Sequence, residues 1–199
     1  MISLIKNLWA IILPTRATAD MVANLTDSEI LHLYRPVVHS NWTALLPYNN
    51  QAVRACVTEA KFYNNQKAQR LLHAVIAHHL SSIHDHTSIL TPIPLSSIRH
   101  KQRGYNQVQA IVTCDKKIQN TVQTILVREF DTKPQSQLSK QDRIKNMSGS
   151  NIFTIKGTIP DSRIIICDDV VTTGATLRAA QKVLAQSTQT AITCLAIAH

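Results

Sequence analysis

The chain has 199 residues, a formal charge of +9 and only four glycines, at positions 104, 149, 157 and 174. Average usage would give roughly fourteen glycines, and no two of these four lie closer than eight residues. G-x-G-x-x-G and G-x-x-x-x-G-K-[ST] phosphate cradles are therefore excluded, together with collagen-like and Gly/Ser-rich chains. Hydrophobic residues at 44% suffice for a packed core, and aromatics at 5% make that core mostly aliphatic. No apolar run reaches the roughly 18 residues of a membrane span.

In chain order, Ile2 to Leu13 is apolar, is interrupted by Lys6 and Asn7, and predicts a packed helix rather than a leader. Thr26-Asp27-Ser28-Glu29 predicts a helix start before Ile30, Leu31 and Leu33. Asn49-Asn50 and Asn64-Asn65 mark turns around a helix from Ala52 to Phe62. Ala68, Leu72, Val75, Ile76, Leu80 and Ile83 follow the 3.6 period and predict a helix over 66–83. His79 falls on its apolar face and reads as a hydrogen-bonded core histidine. Ser88 to Pro94 predicts a short strand, Tyr105 to Thr113 a helix and Thr121 to Val127 a strand. Residues 129–150 are polar, basic and weakly periodic, and predict a long loop before a strand from Asn151 to Ile155. Arg163 to Cys167 predicts an apolar strand ending at Asp168-Asp169, followed by a helix over 175–186 and a last strand from Ala191 to Ala198. Strands apolar on both faces, alternating with helices, predict an α/β fold with a mostly parallel sheet covered on both sides. Ligands of such sheets bind at the carboxyl ends of the strands, here after Ile93 and after Cys167.

Charge is concentrated in the middle: residues 96–150 hold ten Lys and Arg against four acids. A basic segment of this kind implies an anionic partner, either a polyphosphate or a nucleic acid. The four cysteines stand singly at 56, 114, 167 and 194, with no zinc-ribbon spacing, and imply a reducing cytoplasm. Cys167 and Cys194 sit in apolar runs and read as small core residues.

The chemistry is concentrated in Ile164-Ile165-Ile166-Cys167-Asp168-Asp169-Val170-Val171-Thr172-Thr173-Gly174-Ala175-Thr176. A buried strand delivers two carboxylates to its open end, and a Thr-Thr-Gly-Ala-Thr loop opens a helix. Backbone N–H groups, hydroxyls and the helix dipole there favour an anion, and Gly174 keeps side chains away from it. A phosphate on this loop, with two carboxylates one step back, matches a ribose 5-phosphate whose 2- and 3-hydroxyls donate to Asp168 and Asp169.

This stretch resembles the phosphoribosyl-pyrophosphate motif of type I phosphoribosyltransferases. Pro92-Ile93-Pro94-Leu95-Ser96, Arg99 and Arg103-Gly104-Tyr105-Asn106-Gln107 resemble the ComF family of competence-associated phosphoribosyltransferase-like proteins. So do Lys133-Pro134-Gln135-Ser136-Gln137-Leu138-Ser139, Arg143 and Asn146. The resemblance runs from about Ala52 to the C-terminus. It implies the type I phosphoribosyltransferase fold with a mobile lid loop, a phosphoribosyltransferase domain over 51–199, and an N-terminal helical hood over 1–50. Family members commonly begin with a cysteine-rich zinc segment; Leu13 to Ala19 carries no cysteine, so no zinc is expected.

The resemblance also implies roles. Asp168 and Asp169, with Val170, Val171, Thr172, Thr173, Gly174, Ala175 and Thr176, form the phosphoribosyl pyrophosphate site. Ser96, Arg99, Lys101 and Arg103 form a pyrophosphate loop, and Lys133, Gln137 and Arg143 lie on the lid. Asp168, Asp169, Arg103 and Lys133 are the expected catalytic groups. Magnesium enters bound to substrate, with no direct protein ligand set. The expected reaction is transfer of phosphoribose to an unassigned nitrogenous acceptor with release of pyrophosphate. The alternative is a non-catalytic accessory of competence and DNA uptake that keeps the sugar-phosphate site. Its basic face would contact single-stranded DNA or a helicase-like partner. A homodimer is compatible with both.

Overall fold

The computed structural model describes residues 16–85, 87–115, 121–128 and 152–199. The helix expected over Ile2–Leu13, Gly149, and the expected lid with Lys133, Gln137 and Arg143 lie outside the described residues. Two short helices come first, α1 (Ala17–Asn24) and α2 (Asp27–His32). Thr26 and Glu29 cap α2 reciprocally: the Thr26 hydroxyl accepts the Glu29 N–H, and the Glu29 carboxylate accepts the Thr26 N–H. Strands β1 (Val37–His39) and β2 (Trp42–Leu46) follow, then α3 (Gln51–Phe62) and α4 (Gln66–Ser82). Asn50 and Asn65 cap these helices by accepting two N–H groups each, so the Asn-Asn turns act as start signals.

Strand β3 (Ile89–Pro92), helices α5 (Ser97–Arg103) and α6 (Gln107–Val112), and strands β4 (Leu126–Arg128) and β5 (Phe153–Ile155) come next. The described chain closes with β6 (Ile164–Val170), α7 (Ala175–Ala185) and β7 (Ile192–Ala198). The central sheet has the order β1-β2-β7-β6-β3, parallel throughout except for the antiparallel β1–β2 edge. Along β6 the side chains alternate between two cores. Ile165 and Cys167 join the core built with α3, α4 and α6, whereas Ile164 and Ile166 join the one built with α7 and β5. This double covering explains the unbroken apolar run. No described helix is long and apolar enough to cross a membrane.

Three expectations need correction. Residues 37–46, expected within a helical segment, form β1 and β2, and β2 lies beside β7 in the central sheet. β1 pairs with β2 locally, but the other partner of β2, the strand β7, stands about 150 residues away in sequence, so no local pattern announces that pairing. The strand expected over Thr121–Val127 is reduced to a single bridge, Leu90 to Val122, after which Leu126–Arg128 pairs antiparallel with Phe153–Ile155 in a separate two-stranded sheet. The segment from Ser96 to Arg103, expected as a loop, is the helix α5 with Ser96 as its cap.

Glu59 on α3 is fully buried and ties down the start of the described chain. It accepts from Arg16 (3.1 and 3.2 Å), Thr18 (2.7 Å) and Asn65 (3.1 Å). Burial alone would raise its pKa, but these hydrogen bonds reverse that and hold it below the ordinary value. His79 bonds the Tyr34 hydroxyl at 2.9 Å, and burial lowers its pKa.

Candidate active site

The acidic pair lies within β6 rather than beyond it, because the strand continues to Val170. The two carboxylates remain close enough for the charge of one to act on the other. Asp169 turns toward α3 and α6. Its Oδ2 accepts from Gln107 Nε2 at 2.8 Å and pairs with Lys61 Nζ at 3.2 Å. Its Oδ1 accepts the Val170 N–H. Asp168 Oδ1 accepts the Asp169 N–H at 2.8 Å. Burial, then the neighbouring Asp169 charge, pushes the Asp168 carboxyl well above the usual carboxylate range.

The Arg103-Gly104-Tyr105-Asn106-Gln107 motif now has a mechanical account. Gly104 ends α5 with φ +76°, a left-handed value that glycine adopts freely. The Tyr105 hydroxyl donates to the Ala60 carbonyl (2.6 Å) and accepts the Asn64 N–H (2.9 Å), which fixes the turn to the end of α3. Asn106 caps α6 and donates to the Ile93 carbonyl beside the end of β3. Gln107 then bridges: its carbonyl accepts from Arg103 Nη1 at 2.8 Å while its amide donates to Asp169. The motif thus builds a chain from Arg103 through Gln107 to Asp169.

Lys61, Phe62, Arg99, Gln102 and Arg103 line a pocket of about 450 Å³ beside this chain. The Arg103 guanidinium lies 5.2 Å over the Phe62 ring. Burial lowers the Arg103 pKa, and the charge of Asp169 works against that. Three cations around one cavity suit a multiply charged anion. Lys101 is exposed on another side of α5 and does not line the pocket, and Ser96 is 2% exposed and spends its hydroxyl on the cap. Sequence reasoning missed Lys61 and Gln107 as site residues. Lys61 carries no motif, and Gln107 was visible only as part of a family resemblance.

On the other face, Val171 is buried and Thr172 and Thr173 are exposed before α7. Gly174 occupies the N-cap position at φ +70°, so no side chain caps the helix. Thr173 Oγ1 accepts the Ala175 N–H at 3.4 Å, and Arg178 Nη1 donates to the Thr173 carbonyl at 2.6 Å. The structure gives a further reason for glycine here. A Cβ at Gly174 would stand 2.6 Å from Trp42 Nε1 and 2.7 Å from its Cδ1. Both the left-handed backbone and the Trp42 ring therefore demand glycine. Gly174→Ala should lower stability by about 2 kcal/mol, from left-handed strain plus overpacking. Thermal melts check this, and an unchanged melting temperature would refute it.

Among the described residues no group of three or more His, Cys, Asp or Glu is arranged to hold a metal ion. No family model matches the chain. Several characterised proteins do resemble it. Competence protein F of Haemophilus influenzae is 33% identical over 99 residues, which is 48% of this chain and 43% of that protein. Competence protein ComFC of Bacillus subtilis is 33% identical over 97 residues, 48% of this chain and 38% of that protein. Competence protein ComFC of Streptococcus pneumoniae is 26% identical over 147 residues, 72% of this chain and 61% of that protein. The matches thus span about two fifths to three fifths of the relatives' own length.

Proposed function

We propose that this chain, similar over part of its length to competence proteins F and ComFC, is a ComF-type protein that binds phosphoribosyl pyrophosphate and transfers the phosphoribosyl group to a nitrogenous acceptor. The observation that carries this reading is the end of β6, where two carboxylates are followed directly by a loop leading into a helix with no side-chain cap. The acceptor nitrogen forms a bond to C1, the C1–O bond to pyrophosphate breaks, and the electron pair leaves with pyrophosphate. The acceptor gives up its proton. Positive charge developing at C1 is stabilised by the Asp168–Asp169 region, and Arg99, Arg103 and Lys61 stabilise the departing anion. The carboxylates fit the oxygen preference of magnesium, which keeps most of its shell as water and phosphate oxygens. When bound, that ion neutralises charge on the leaving group.

Calorimetry with phosphoribosyl pyrophosphate and magnesium tests this, using wild type and Asp168→Asn/Asp169→Asn. Binding by wild type that falls at least a hundredfold in the variant is expected. No binding by wild type, or equal binding by both, overturns the reading. The relatives' names favour a second reading, a role in DNA uptake without turnover, in which the +9 charge contacts single-stranded DNA. Affinity for an oligonucleotide that falls steeply with salt, with no pyrophosphate release from phosphoribosyl pyrophosphate, would favour it.

A further inference from the structure

Trp42 opens β2, and its ring stands beside the start of α7. His39 stacks on the indole at 4.9 Å with the planes 8° apart, and His199 packs at 5.0 Å with a tilt of 37°. The residue is 6% exposed, and its buried Nε1–H has no acceptor among the described residues. Buried tryptophan N–H groups ordinarily find a partner, so an orphan of this kind calls for an explanation.

The ring edge that carries the N–H faces Gly174. A Cβ at that glycine would lie 2.6 Å from Nε1 and 3.2 Å from Arg178 Nη1. An unused donor, a guanidinium and the uncapped first turn of an eleven-residue helix therefore meet at one point. The indole nitrogen donates and never accepts, so its missing partner is an acceptor. The helix end beside it favours an anion over a neutral oxygen.

We propose that the Trp42 indole N–H is a binding group for the phosphate of a sugar phosphate, donating to an oxygen seated against residues 172–176. This rests on the reading of that loop as a phosphate site. It adds a donor from β2, an element outside the acidic strand and its loop. Because the indole is neutral, it recognises the phosphate oxygen by direction without adding charge. The imidazoles of His39 and His199 pack against the ring.

The experiment is a titration followed by the indole ¹H–¹⁵N resonances, with Trp42 assigned by its loss in Trp42→Phe. Inorganic phosphate and ribose 5-phosphate are the probes, and ribose is the control. Ribose 5-phosphate should move the Trp42 resonance saturably, and ribose should not. Trp42→Phe keeps an aromatic ring beside the histidines and should weaken ribose 5-phosphate binding about tenfold, the worth of one hydrogen bond to a charged group. A resonance that stays still at saturation overturns the proposal, and so does a total lack of phosphate or ribose 5-phosphate binding. Undiminished binding by Trp42→Phe also overturns it. Should that variant fold poorly, the wild-type titration decides alone. Phosphate that shifts the indole of a protein unable to take phosphoribosyl pyrophosphate keeps the indole site and removes the proposed substrate. Tight phosphoribosyl pyrophosphate binding with a silent indole does the reverse.

Discussion

Asp168→Asn makes the ligand-free protein more stable at neutral pH, by about 3 kcal/mol. The carboxyl is raised in the folded state by burial and then by Asp169. In the unfolded chain it ionises at about pH 4. Below that pH both states hold the proton, and the folded form keeps the full benefit. As pH rises, the unfolded chain releases the proton first, so wild-type stability falls until the folded carboxyl ionises in turn. Asparagine has nothing to ionise, and its Oδ1 can still accept the Asp169 N–H. The gain should therefore be near zero at about pH 4 and reach a plateau above the raised folded value, with melting temperature up by roughly 8 °C. Melts across the pH range check this. A gain that is the same at every pH, or a loss, would remove the account. A stabilising change at the proposed ligand-binding carboxylate is the expected form of a stability–function conflict.

Lys61→Met acts in the opposite direction. The Asp169 side chain is 10% exposed and Lys61 26% exposed, and the substitution removes the cation paired with that carboxylate while the Gln107 amide still donates to it. Removing one member of a buried pair costs about 3 kcal/mol at the low end of the usual range, which suits a lysine that water still reaches. Methionine keeps the aliphatic stem, so the loss reports on the ion pair rather than on packing. Urea unfolding should show the midpoint falling, and Lys61→Met/Asp169→Asn should recover most of the loss. An unchanged midpoint in the single variant would mean that the pair contributes nothing to the fold.

The elements that sequence predicted well are those whose signals are local. The Asn49-Asn50 and Asn64-Asn65 turns, the 3.6 period from Ala68 to Leu80 and the apolar run from Ile164 each act within a few residues. Strand β2 was missed because five residues facing a partner from the far end of the chain carry no period of their own. The strand near Leu126 was expected, but its partner was not, since β-propensity names a state and not a neighbour. At the site, Asp168, Asp169 and Gly174 were legible as a motif. Lys61 and Gln107 reach Asp169 from α3 and α6, a convergence that only packing creates.

The line of hydrogen bonds from Arg103 through Gln107 to Asp169 ties the cationic helix α5 to the acidic end of β6. A change at Gln107 should therefore disturb the guanidinium and the carboxylate together, so that the basic and acidic sides of the cleft keep or lose their positions as one unit.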